Sequence, residues 1–193
     1  MDYVKNRFER IQKPVEKILR ANAVTKAPVP VERIALARGA QIRYVPYEGE
    51  MSGMIAREDG VIVIGVNALH SKTRQRFTIG HELGHLELGH LDVLYESGLH
   101  VDRNFRNFRT TRPREMRRDE LSSLAVDIAE IEANAFSAEL LMPTQMIERD
   151  LRKYGVDPED DELIHDLASK YQVSVQAMTF RLAKLTENLM IKS

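Results

Sequence analysis

The chain contains no cysteine, which removes disulfide frameworks, thiolate metal sites, iron–sulfur clusters and a cysteine nucleophile together. It also lacks an excess of charge of either sign: 28 Lys+Arg stand against 29 Asp+Glu, leaving −1 at pH 7. That balance argues against a protein whose main task is to coat nucleic acid or anionic membrane. Long hydrophobic runs are missing too. The longest uncharged apolar stretch, residues 60–71, falls well short of the roughly 20 residues that span a bilayer. Residues 1–10 hold no apolar run of signal-peptide length. A cytoplasmic protein with no membrane association is expected.

What remains is a chain of 193 residues, 43% hydrophobic and 30% charged, a globular and not a disordered balance. At this length folding buries roughly 70% of the extended chain's surface, so a core forms without a metal or disulfide staple. No internal repeat or low-complexity tract interrupts it.

Residues 2–22 carry Val4, Phe8, Ile11, Val15, Ile18 and Leu19 on one helical stripe. Pro14 interrupts the stripe, predicting a kinked helix or two short ones. After the linker 27–30, residues 31–38 read as a second helix stopped by Gly39. Residues 41–68 then turn β-rich, with Asp59-Gly60 as a turn signal before the strand 61–67. A small antiparallel sheet of about three strands is expected. Ser71 is the N-cap of a helix running to about His90, and helical spacing returns over residues 121–141. A short helix to about Tyr154 follows, with Gly155 and Pro158 as breakers, then helical segments 161–171 and 174–188. The expected fold is α+β and mostly helical. Its division is a domain of residues 1–155 and a C-terminal helical segment, 156–193, packed on it.

The chemistry is concentrated in His81-Glu82-Leu83-Gly84-His85, an HExxH sequence inside a predicted helix. Histidines at i and i+4 project from one face about one turn apart, so both imidazoles reach a single ion. Glu82 lies beside that face, where its carboxylate can take the proton of a water attacking a carbonyl. With six histidines in the chain, a chance HExxH is rare, roughly 0.02 per chain. A catalytic zinc site needs a third protein ligand and an open position. Glu130 and Asn134 share one helical face; Glu130 can bind the metal while the Asn134 amide orients a ligand histidine. Glu132 points about 160° away from Glu130 around the same helix, at roughly 100° per residue, and is expected to face solvent.

Residues 74–85, Arg74-Gln75-Arg76-Phe77-Thr78-Ile79-Gly80 running into the HExxH, resemble the ImmA/IrrE family of zinc metallopeptidases, as do residues 130–143. The likeness extends more loosely over about residues 27–187. It implies a minimal gluzincin-like core: a three-stranded sheet, a helix with HExxH and a glutamate-bearing helix. It implies one Zn²⁺ per chain held by His81, His85 and Glu130, with Glu82 as general base. It also implies that the partner is a helix-turn-helix repressor or antitoxin, whose cleavage relieves repression; such a partner is expected as a separate chain. Family members commonly carry a histidine four residues after the second zinc histidine. Here that position is Gly89 and the histidine is His90, either a cleft residue or a favourable positive helix end.

Other features keep two readings. The strand 61–67 is either the edge that holds an extended substrate by β-augmentation or a buried central strand. Residues 103–118 hold seven arginines and one glutamate, threaded by Phe105 and Phe108. They suit a solvated loop, a flap or substrate contact, or a phosphate-contacting arm. Residues 161–188 have helix-turn-helix texture, but only Gln176, Arg181 and Lys184 would serve a recognition helix, behind an acidic segment. Helices packed on the core or binding a partner are the favoured reading, with nucleic acid a minor alternative. His70, His100 and His165 lack ligand spacing. The leading expectation is a zinc-dependent endopeptidase; its rival is a non-catalytic, metallopeptidase-like regulatory module that binds a repressor, an antitoxin or DNA.

Overall fold

The computed structural model of the chain describes residues 2–48, 51–91, 120–154 and 160–190. Helix α1 (Asp2–Ala21) is one helix with Pro14 inside it, which excludes the alternative of two short helices. An internal proline costs a helix about 3 kcal/mol. Here Ile11, Val15, Ile18 and Leu19, on both sides of Pro14, are buried together in the core, and burial of such side chains is worth roughly 1.5–3 kcal/mol each. The side chains of Val4 and Phe8 lie outside the described residues. Helix α2 (Val31–Ala37) ends at Gly39, whose φ of +82° suits glycine.

Strands β1 (Ala40–Val45), β2 (Gly53–Glu58) and β3 (Val61–Asn67) form one sheet in the order β1-β3-β2. The sheet is mixed, not antiparallel as expected: β2 pairs antiparallel with β3, but β1 pairs parallel with it. The cause is the path of the chain. From β1 it crosses to the far edge, runs back as β2, and turns at Asp59-Gly60, both with positive φ, as a two-residue hairpin turn requires. β3 then fills the middle, in the same direction as β1. The crossover is held by Asn67 at the end of β3. Its amide donates to the carbonyls of Tyr47 (3.0 Å) and Met51 (2.9 Å), and its Oδ1 accepts from the amides of Tyr47 and Leu69. Strand 61–67 is therefore central, and its reading as a substrate edge is overturned; the edges are β1 and β2.

Helix α3 (Lys72–Glu87) follows, capped by the Ser71 hydroxyl accepting from the Arg74 amide. Next come α4 (Glu120–Leu141), α5 (Thr144–Tyr154), α6 (Asp161–Tyr171) and α7 (Val175–Met190). Side chains of α6 and α7, among them Ile164, Leu167, Tyr171, Met178 and Leu182, join the buried cluster that contains Ile79 and Leu83 of α3 and Phe136 of α4. Among the described residues, no helix is long and apolar enough to cross a membrane. The breakers Gly155 and Pro158 and the arginine-rich stretch 103–118 lie outside the described residues.

Two arginines tie distant segments together. The Arg76 guanidinium of α3 donates to the carbonyls of Val29 (2.8 Å) and Gln172 (3.3 Å). Arg181 of α7, named above as a candidate recognition-helix residue, is buried. It pairs with Glu139 and donates to the Met142 carbonyl (3.0 Å) and the Thr144 hydroxyl (2.9 Å). The Glu139 carboxylate in turn accepts from the amide and hydroxyl of Thr144, each at 2.9 Å, at the start of α5. Removing one member of such a pair leaves an uncompensated buried charge. Arg181→Met is expected to cost about 3–5 kcal/mol of stability by that principle, measured as a fall in the urea midpoint. A change under about 1 kcal/mol would mean that the pair contributes little.

Candidate metal centre

The centre forms where α3 and α4 run antiparallel with two glycines of α3 against α4. Gly80 and Gly84 lie on the α3 face that meets α4. A Cβ on Gly84 would stand 3.1 Å from the Ala133 Cα and the Phe136 side chain, and one on Gly80 would stand 2.6 Å from the Ser137 hydroxyl. Glycine inside a helix costs roughly 1 kcal/mol against alanine, and here it lets the two backbones approach. Ser137 completes the seam by donating to the Phe77 carbonyl at 2.8 Å. With this register, His81 and His85 of α3 face Asn134 and Glu130 of α4.

The donor atoms form a small triangle. The Nε2 atoms of His81 and His85 are 3.0 Å apart, and each lies 3.3 Å from an oxygen of Glu130. These three residues form a group able to hold a metal ion. Ligand atoms about 2.0–2.1 Å from a tetrahedral zinc stand about 3.3 Å from one another, so spacing and donor set both suit that ion. The other faces of the imidazoles are also engaged. The Asn134 Oδ1 lies 3.0 Å from His81 Nδ1; accepting its proton leaves Nε2 with a lone pair for a metal.

Behind His85 stands His90. Helix α3 closes with Gly89 at φ +74°, the Gly89 amide on the Leu86 carbonyl and the His90 amide on the His85 carbonyl (2.9 Å). This is a Schellman turn, and it folds residue 90 back over residue 85. The His90 Nδ1 lies 3.3 Å from the His85 Nδ1, and its Nε2 lies 3.0 Å from Glu132 Oε2. Glu132 is only 4% exposed and is met from α1 by Arg10 at 3.5 Å. The expectation that Glu132 faces solvent is thus corrected. The side of α4 opposite the cleft is covered by α1 and by the turn after α3, so a carboxylate there is buried. Sequence offers no direct signal for this contact, save Gly89 as a C-terminal helix stop.

Glu82 is also buried. Burial pushes its carboxyl pKa upward, opposed by the His81 and His85 imidazoles. Burial works against the charged form of His81, but hydrogen bonding to Glu130 and the nearby Glu82 outweigh it and the net shift is upward. Hydrogen bonds from His81 and His85 hold Glu130 far below the ordinary carboxylate range. Beside Glu82 runs the first residue of β2. A Cβ on Gly53 would lie 3.7 Å from Glu82 Oε1, and only 2.2 Å from Thr78 and 2.6 Å from the Gly65 carbonyl. The start of an edge strand thus abuts the buried carboxylate, a neighbour that sequence reasoning missed because β3 carried the stronger strand signal.

The structure brings together His81, Glu82, His85, Glu130 and Asn134 and sets His90 behind His85, not within the donor triangle. His70 is half-buried near Asn67, His165 is exposed and contacts the Asp161 carbonyl, and His100 lies outside the described residues. If the glycine seam sets the helix spacing, Gly84→Val should separate α3 from α4. Overpacking of this kind costs about 1–3 kcal/mol, and metal affinity measured by chelator competition should fall with it. Unchanged stability and affinity would refute the role given to the seam.

No curated protein matches the chain. The family model Peptidase_M78, described as the IrrE N-terminal-like domain, matches residues 35–183, a span that holds the sheet, α3 and the Glu130-bearing helix. With its metallopeptidase-like arrangement of two histidines and a glutamate, the chain belongs to the Peptidase_M78 family of IrrE N-terminal-like domains.

Proposed function

We propose that the protein is a zinc-dependent endopeptidase whose substrate is a partner helix-turn-helix repressor or antitoxin. The observation that carries this reading is the 3.0–3.3 Å triangle of His81, His85 and Glu130 with buried Glu82 on the adjoining helix position. Zinc, when held there, supplies Lewis acidity towards a peptide carbonyl and lowers the pKa of water. The protein's own groups do the rest. Asn134 and the α3 backbone hold the His81 ring with Nε2 facing the cleft. Glu82 accepts the proton of the attacking water and returns it to the leaving amine.

The β2 edge is the natural place for the substrate backbone. It begins at Gly53 against Glu82, and an extended peptide adds to a free strand edge through main-chain hydrogen bonds. The repressor or antitoxin as substrate rests on the resemblance of residues 74–85 and 130–143 to the ImmA/IrrE family.

Mass spectrometry of untagged protein is expected to find about one zinc per wild-type chain and none in His81→Ala, following the three-ligand requirement. Glu82→Gln should keep its zinc and lose cleavage of the partner repressor by at least about 10²–10⁴-fold, the usual contribution of a positioned base. Cleavage retained by Glu82→Gln would remove Glu82 from the mechanism. Relief of repression by that variant without cleavage would favour the non-catalytic regulatory module instead.

A further inference from the structure

We propose that His90 and Glu132 are positioning residues that fix the tautomer and orientation of His85 through a buried relay. The inference rests on the reading of His85 as a metal ligand through Nε2. The contacts then leave one consistent assignment of protons. If the Nε2 lone pair faces Glu130 and His81, the proton of a neutral His85 is on Nδ1. At 3.3 Å the group facing that proton is His90 Nδ1, which must accept it and so carries no proton itself. A neutral His90 then has its proton on Nε2, 3.0 Å from the Glu132 carboxylate, which accepts it.

The relay is built and not incidental. His90 and Glu132 are 6% and 4% exposed, so water does not compete for these contacts. The Schellman turn at Gly89 sets the His90 ring edge-on to His85, with centroids 5.4 Å apart and planes at 70°. Arg10 at 3.5 Å keeps a positive charge beside Glu132 from α1. Among the described residues, the equivalent support of His81 comes from Asn134, a neutral amide. The two histidines of the HExxH are thus supported differently: His81 from the opposite helix, His85 by a second imidazole backed by a carboxylate. Such outer partners raise the basicity of the ligand and hold its ring in place for the ion.

The test is zinc affinity of the full-length chain, read by competition with a chromophoric chelator. His90→Leu removes the acceptor for His85 and should weaken zinc binding by on the order of 10- to 100-fold. His90→Gln, whose amide oxygen can accept the same proton, should recover most of that loss. Glu132→Leu should weaken binding severalfold, and the double variant His90→Leu/Glu132→Leu should bind no more weakly than His90→Leu alone, because the carboxylate acts only through the imidazole. A purely structural role would show neither the recovery nor this non-additivity. If His90→Leu fails to unfold cooperatively, Glu132→Gln carries the test, since it keeps the shape and removes the charge; it should still weaken zinc binding. Wild-type protein binding one zinc while the folded variants match it within twofold would overturn the relay and leave the metal site standing. Fully additive losses would overturn it as well. Wild-type protein that binds no zinc would overturn both readings.

Discussion

The contact between α3 and α4 is the constraint on which the centre depends. Two helices carrying ordinary side chains pack about 8–10 Å apart, and short ligand side chains must then bridge what separation remains. Gly80 and Gly84 remove the α3 side chains from the seam, and Ala133 and Ser137 keep the α4 side small. The approach of the backbones puts a glutamate within 3.3 Å of two imidazoles. Every other part of the centre is referred to that seam. Asn134 is one turn from Glu130, and Glu132 reaches His90 because α4 is fixed in rotation about its own axis.

Many buried polar groups, on α3 and beyond it, serve the fold and not the candidate metal centre. Gln75 donates to the carbonyls of Asn67, Ala68 and His70, closing the connection from β3 into α3. Arg76 binds carbonyls from residues before the sheet and after α6. Arg181, Glu139 and Thr144 satisfy one another at the corner between α4 and α5. Buried polar groups without partners are costly, and these networks answer that cost locally. They also leave the residues facing the cleft to be set by only a few contacts.

Much of the centre was legible because helical geometry alone relates i to i+4. His81 with His85, and Glu130 with Asn134, needed only the prediction of two helices. The start of α3 was likewise signalled by Ser71 and the end of α4 by Pro143, whereas α3 ends at Glu87, short of the expected His90. What failed was non-local. The parallel pairing of β1 with β3 has no turn to announce it, whereas the β2–β3 hairpin does. The rotation angle of Glu132 was right, but the inference to solvent was wrong because it ignored α1 and the turn holding His90. Arg181 looked like a surface cation for the same reason: a spacing argument knows the face of a residue and not what covers that face.

The reach of Arg76 has a consequence for the order in which the molecule comes into being. A ribosome releases α3, with both histidines of the HExxH, long before it releases Glu130, and it releases Gln172 later still. Contacts between residues so far apart in the chain form only after intervening segments exist, since loop closure precedes their reward. The histidines of a nascent chain therefore emerge without the glutamate, and the Arg76 clasp closes only when the turn between α6 and α7 has appeared. Assembly of the centre is a late event in biosynthesis, and a chain interrupted before α4 carries the two histidines of the HExxH without the glutamate that completes the candidate metal site.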